Sequence, residues 1–195
     1  MNDEFISQEK AESVLLLFGI TKSSSAYERW LTNGGFYLKD FDEVLFRSNH
    51  IVLFDWRESS DQIGLRIKQA FQLCGVQVDW VLSTPNRGHL IIDEVKFPLS
   101  YSSSKGDQIG QVVGSILQEI THDNVRVFAG NDNEGSDTAA FAILKSTNAN
   151  MLNEEHASAL DYYFQDIETI DIEPRQKNSH WKMNLLKSLF LKKTN

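Results

Sequence analysis

Apolar residues recur along this chain with two periods, and the alternation between them predicts most of its elements. Helical spacing comes first. From Asp3 to Phe18, the residues Phe5, Ala11, Val14, Leu15 and Phe18 lie near one face, acids occupy the first turn, and Gly19 is placed to end the run. Ser23 to Ser25 supply caps for a short helix ending near Asn33-Gly34-Gly35, with Trp30 and Leu31 to dock it. The segment Asp40 to Arg47, DFDEVLFR, reads as another short helix.

At Ile51 the pattern changes. The run IVLF is β-branched and aromatic, as in a buried central strand. Ser59 and Gln62 then have capping-box spacing, and Ile63, Ile67, Ala70, Phe71 and Cys74 recur at helical intervals up to Gly75. Val76, Val78, Trp80 and Leu82 alternate with Gln77 and Asp79, which predicts a strand with one buried face. A β-α-β unit defaults to a right-handed parallel crossover when its strands share a sheet. Thr84-Pro85-Asn86-Arg87-Gly88 reverses the chain into a strand from His89 to Ile92, and Asp93-Glu94 reverses it again into Val95, Phe97 and Leu99. Pro98 inside that last strand argues for a sheet edge or a strand end.

After the polar link Ser102 to Gly106, the residues Ile109, Val112, Val113, Ile116, Leu117 and Ile120 form the clearest helical face in the chain. Gly106, Gly110 and Gly114 fall four apart beside it. Each interior glycine costs about 1 kcal/mol relative to alanine, which close approach of a neighbouring backbone would offset. Two apolar runs follow, Val125 to Ala129 and Thr138 to Leu144, and they enclose the most concentrated polar loop of the sequence. A helix is expected from about Asn150 to Gln165, an additional strand at Thr169 to Ile172, and a boundary at Pro174. A final helix, about Ser179 to Leu191, sets Trp181, Leu185, Leu186, Leu189 and Phe190 against lysines. The predicted core order is β-α-β-β-β-α-β-β-α. The fold class is therefore α+β or α/β, a single domain (1–195) with a mixed sheet of about six strands packed by helices. Residues 1–48 are its N-terminal helical segment, 49–173 its mixed core and 174–195 a basic C-terminal helix.

Composition narrows the range of functions. The 195 residues carry a net charge of −8, but from Arg175 onward there are six basic side chains and no acid, so the first 174 residues stand at −14 and the tail at +6. A body this acidic repels phosphate backbones and makes nucleic-acid binding unfavourable except through the tail, while it attracts a basic protein. The single cysteine, Cys74, excludes an intrachain disulfide framework and suits a reducing cytoplasm. The opening MNDEFISQEK has acids where a secretory signal carries positive charge, and no apolar run is long enough for a transmembrane helix. The tail helix has the charge to lie on an anionic membrane, although packing on the acidic body is the commoner use of such a stripe.

The loop Gly130 to Asp137 holds Asp132, Glu134 and Asp137 beside Asn131 and Asn133, so a divalent cation is the first chemistry to consider. Calcium-loop spacing fails, because Gly135 at the sixth position puts Gly130 at the first and Phe141 at the twelfth, where carboxylates are needed. A solvated hairpin loop, available for protein contact, accounts for the same residues. Asp55 and Glu58 end a buried strand, where α/β sheets place ligand groups, and an acid/base role with Asp132 or Asp137 would need those carboxylates in different environments. The plainer alternative pairs Asp55 with Arg57 and lets Ser59 cap the next helix. Cys74 lies on an apolar helical face and reads as a small hydrophobe. The five histidines show no metal-ligand spacing, and neither the serine-hydrolase elbow nor either phosphate loop is present. No cofactor or metal is called for.

These features favour a non-enzymatic cytoplasmic module that occludes a basic partner, such as a toxin domain, in the manner of an acidic immunity or antitoxin protein. Its contact residues would be Asp55, Glu58, Asn131, Asp132, Asn133, Glu134 and Asp137. The alternatives are a metal-assisted hydrolase using Asp55, Asp132 and Asp137, and a regulatory or scaffold domain that binds a small molecule or oligomerises through the glycine-lined helix.

Overall fold

A computed structural model describes residues 6–33, 42–102, 109–120, 122–131 and 138–170. Among the described residues, seven strands form two antiparallel sheets. β1 (Ile51–Asp55), β5 (Val125–Gly130), β6 (Thr138–Lys145) and β7 (Phe164–Asp166) make one, in the order β1-β6-β5-β7. β2 (Val78–Thr84), β3 (Arg87–Ile92) and β4 (Val95–Ser100) make the other, in sequence order.

The four-stranded sheet is covered on both faces. Val52, Phe54, Val125, Val127, Ala129, Ala139, Phe141 and Ile143 belong to one buried cluster, shared with α4 (Ser60–Leu73), α5 (Ile109–Glu119) and the three-stranded sheet. Ile51, Phe128, Ala142 and Leu144 belong to a second. This other cluster is shared with α1 (Gln8–Leu17), α2 (Ser25–Asn33), α3 (Asp42–Leu45), α6 (Ser146–Glu155) and α7 (Ala157–Tyr163). Burial on two sides explains why these strands read as continuous apolar runs rather than alternating ones. The N-terminal helices thus supply much of the second cluster.

The predicted single mixed sheet is corrected to two antiparallel ones. β1 and β2 do not share a sheet, so no parallel crossover forms; α4 between them buries Ile63, Ile67, Ala70 and Phe71 against both sheets instead. β2, β3 and β4 pair locally through two tight turns, which costs far less chain entropy than a long crossover. At the second turn Asp93 and Glu94 both adopt positive φ, 49° and 68°, the handedness that matches a two-residue hairpin to strand twist. β1 is an edge strand, and Pro98 does lie on an edge, in β4. Leu82, expected on the buried face, is exposed.

Local signals carried well where a cap was involved. The capping box of Ser59 and Gln62 is complete, and Ser7 caps α1 by accepting from the Lys10 backbone, so that helix begins later than Asp3. The expected helix from Asn150 to Gln165 is instead α6, α7 and strand β7. It breaks at His156, whose φ of −140° and ψ of 33° are not helical, and Phe164 leaves the helix to pair with Gly130. The strand expected at Thr169 to Ile172 is replaced over Ile167–Thr169 by a 3-10 turn, capped by the Asp166 carboxylate on the Glu168 N–H. Asp171 and Ile172, Gly106 and the whole basic segment 174–195 lie outside the described residues.

Candidate functional site

Antiparallel pairing sets where the sequence candidates stand. Asp55, the last residue of β1, is the register partner of Thr138, the first residue of β6. Residues 131–137 join β5 to β6, so the loop leaves the sheet at the end occupied by Asp55 and, three residues on, by Glu58. Asp132, Asn133, Glu134 and Asp137 themselves lie outside the described residues. Asn131 is exposed at the start of the loop, and its carboxamide donates to the Asp161 and Tyr162 carbonyls, both at 3.0 Å. Those are carbonyls of the last turn of α7, which no helical donor reaches. Asn131 therefore fastens the loop to that helix end.

The two carboxylates at the strand end have different surroundings. Asp55 accepts from the backbone N–H of Arg57 at 2.8 Å, from its Nε at 2.9 Å and from its Nη2 at 2.7 Å. This grip holds the Asp55 carboxyl well below the ordinary carboxylate range. The Arg57 guanidinium also lies 5.9 Å from the Trp56 ring centroid. Glu58 is buried, and burial raises its carboxyl above the usual value despite the opposing charge of Arg66 at 3.0 Å. Its Oε2 is buried without a hydrogen-bond partner among the described residues.

Arg66 was not singled out by sequence pattern, yet it organises this corner. One amino group pairs with Glu58, and the other donates to the Leu53 carbonyl at 2.5 Å, so an arginine from α4 reaches across to the outer side of β1. An arginine on a helical face that also carries Gln62 and Gln69 looks like an ordinary solvated residue in sequence, and only the β1 to α4 packing reveals its task. Beside it, Phe46, Ser48, Leu53, Gln69 and Leu73 line a cavity of about 670 Å³. Among the described residues its walls include the cations Arg47 and Arg66 and no carboxylate.

A second, smaller cavity of about 330 Å³ lies among α5, β5 and the 3-10 turn. Arg126 and Asp166 pair within it, and the Gln118 amide donates to the Ile167 and Ile170 carbonyls at 3.1 and 3.0 Å. His122 Nδ1 accepts from the Asn124 N–H at 3.1 Å. These polar groups are largely occupied with each other. Cys74 is buried 3.5 Å from the Ile143 carbonyl, and burial pushes its thiol up to about 11, which removes the thiolate needed for nucleophilic chemistry.

The arrangement offers ionic contact more readily than proton transfer. Among the described residues, no group of three His, Cys, Asp or Glu side chains is placed to hold a metal ion, and no helix is long and apolar enough to cross a membrane. No protein-family model matches the chain, and no curated protein or solved structure is significantly similar to it.

Proposed function

We propose that this protein is a non-enzymatic binding module that neutralises a basic protein partner, such as a toxin domain, by covering it, in the way of an acidic cytoplasmic immunity protein. One observation carries the reading. Asp55 is the register partner of Thr138, the residue that follows the acidic stretch 132–137 in sequence, which supports reading the two acidic stretches as one contact surface. A surface of that kind steers a cationic partner and fixes its orientation through charge. Arg57 and Arg66 pair with Asp55 and Glu58, so on this reading the charge offered to a partner is that of the loop acids Asp132, Glu134 and Asp137, which lie outside the described residues. The same grip of Arg57 on both oxygens of Asp55 counts against a metal-assisted hydrolase, since a cation would have to displace a bidentate guanidinium.

The test is affinity capture from the native host with the immobilised full chain, followed by titration of the recovered partner. A basic protein should bind, more weakly as salt rises. Asp132→Ala and Glu134→Ala should weaken that binding and leave unfolding free energy nearly unchanged. Phe141→Ala, by contrast, should cost about 3 to 5 kcal/mol of stability, because the ring is buried and packs edge-on to Phe54. Recovery of no specific partner, salt-indifferent binding, or full affinity in both acidic-loop variants would overturn the reading.

A further inference from the structure

We infer that the groove between β1 and α4 binds a small organic anion, a carboxylate carried on an apolar body. The inference does not depend on the function proposed above. Its first ground is shape. At about 670 Å³ the cavity falls in the range of roughly 300 to 1,000 Å³ that holds small-molecule ligands. The β1 residues Ile51 to Leu53 form one wall and α4 forms another, and the chain entering β1 from Phe46 to Asn49 closes one end.

The hydrogen-bonding groups of the groove exclude a strand and leave room for a smaller acceptor. The Ile51 N–H donates to the Ser48 carbonyl, the Asp55 carbonyl accepts from the Glu58 N–H, and the Leu53 carbonyl accepts from Arg66, so a ladder along this edge is blocked at three points. One donor stays open between them. The Ile143 N–H donates to the His50 carbonyl at 2.8 Å, so alternation along the antiparallel ladder turns the Leu53 N–H away from β6, and it has no partner among the described residues. A ligand that needs a single backbone donor fits where a strand does not.

Charge sets the sign of that ligand. Arg66 is paired with Glu58, but Arg47 is exposed and its guanidinium makes no ion pair or hydrogen bond among the described residues. The first 174 residues carry a net −14, yet the described walls of this groove hold no carboxylate. An uncompensated guanidinium there favours a carboxylate, which it can bind through two parallel hydrogen bonds, and disfavours an amine. Phe46 and Leu73 line the same groove and are 38% and 46% exposed, so an apolar body attached to the carboxylate has large side chains to cover.

Isothermal titration calorimetry of the full chain with three eight-carbon probes, octanoate, octan-1-ol and octylammonium, tests the inference at fixed ionic strength. Octanoate should bind saturably at one site, octan-1-ol at least about tenfold more weakly, and octylammonium not at all. Arg47→Ala should raise the octanoate Kd about tenfold while leaving that of octan-1-ol unchanged. Leu73→Glu, which sets a carboxylate in the groove, should abolish octanoate binding. Both side chains are exposed, and melting curves establish that the variants fold; if one does not, the other decides. Saturable octanoate binding that every folded variant weakens upholds the inference. Absent or non-saturable octanoate binding by the wild type, equal affinity for octan-1-ol or octylammonium, or an octanoate affinity that a folded variant leaves unchanged overturns it.

Discussion

Trp80 lies between two glycines. A Cβ built on Gly64 of α4 would come within 2.4 Å of the indole, and one on Gly88 of β3 within 2.2 Å, while the indole N–H donates to Asp61 at 2.7 Å. The absence of a side chain at Gly64 is therefore what lets α4 approach β2. Alanine in a helix interior normally gains about 1 kcal/mol over glycine, but here the clash with a ring held on its other side by Gly88 costs about 1 to 3 kcal/mol. Gly64→Ala should destabilise the protein in urea unfolding. In a Trp80→Ala background the same substitution should stabilise it by up to about 1 kcal/mol, and equal effects in both backgrounds would contradict the contact. Periodicity drew attention instead to Gly110 and Gly114; Gly64 is inconspicuous in sequence because the tryptophan that explains it lies sixteen residues later, on another element.

His156 determines an element boundary. Its Nε2 lies 2.9 Å from Ser13 Oγ, which ties the junction of α6 and α7 to α1. Burial lowers its pKa below the ordinary histidine value, while the nearby Glu155 carboxylate acts in the opposite direction and more weakly. The neutral ring is therefore the form the fold prefers, and the unfolded chain takes up a proton first as pH falls. The stability this ring contributes is present above about pH 6.5 and is lost as pH falls through its depressed native value. Denaturation at several pH values should show wild type losing more stability between about pH 7 and 5 than His156→Gln; parallel curves would refute the assignment. At this scale sequence reading succeeded where the cause is local. The capping box of Ser59 and Gln62, the face of α5 and the hairpin turn at Asp93-Glu94 are all written within a few residues. It failed where the cause is distant: the run IVLF reports that β1 is buried on both faces, not that it stands at the end of the strand order among the described residues, and nothing near Phe164 announces pairing with Gly130. The candidate site was legible as two acidic stretches. That Asp55 pairs with Thr138, the residue after the second of them, was not, because it depends on the pairing of β1 with β6.

The molecule as a whole is a sheet between two apolar clusters. α1, α2 and α3 close one of them, with Val14, Leu15, Phe18, Tyr27 and Trp30 all buried against the face that presents Ile51, Phe128, Ala142 and Leu144. Treating residues 1–48 as an appendage would predict that the remainder folds alone. Its removal uncovers much of that sheet face, and burying each such large side chain contributes about 1.5 to 3 kcal/mol, which together exceeds the usual net stability of a domain. A chain beginning at residue 49 should lack a cooperative unfolding transition and bind a hydrophobic dye, whereas a sharp transition by two independent probes would show that the second cluster is dispensable.

The pairing of β1 with β6 also bears on how the chain is made. Ile51 meets Ala142, roughly ninety residues later, and every other strand of that sheet lies beyond β4 in the chain. At a synthesis rate of about 5 to 20 residues per second, β1 and the helices before it wait on the order of 5 to 20 seconds for a strand to pair with. During that interval the nascent N-terminal third carries Ile51, Val52 and Phe54 without a sheet to bury them, and it is in this stretch of translation that a chaperone has most to protect.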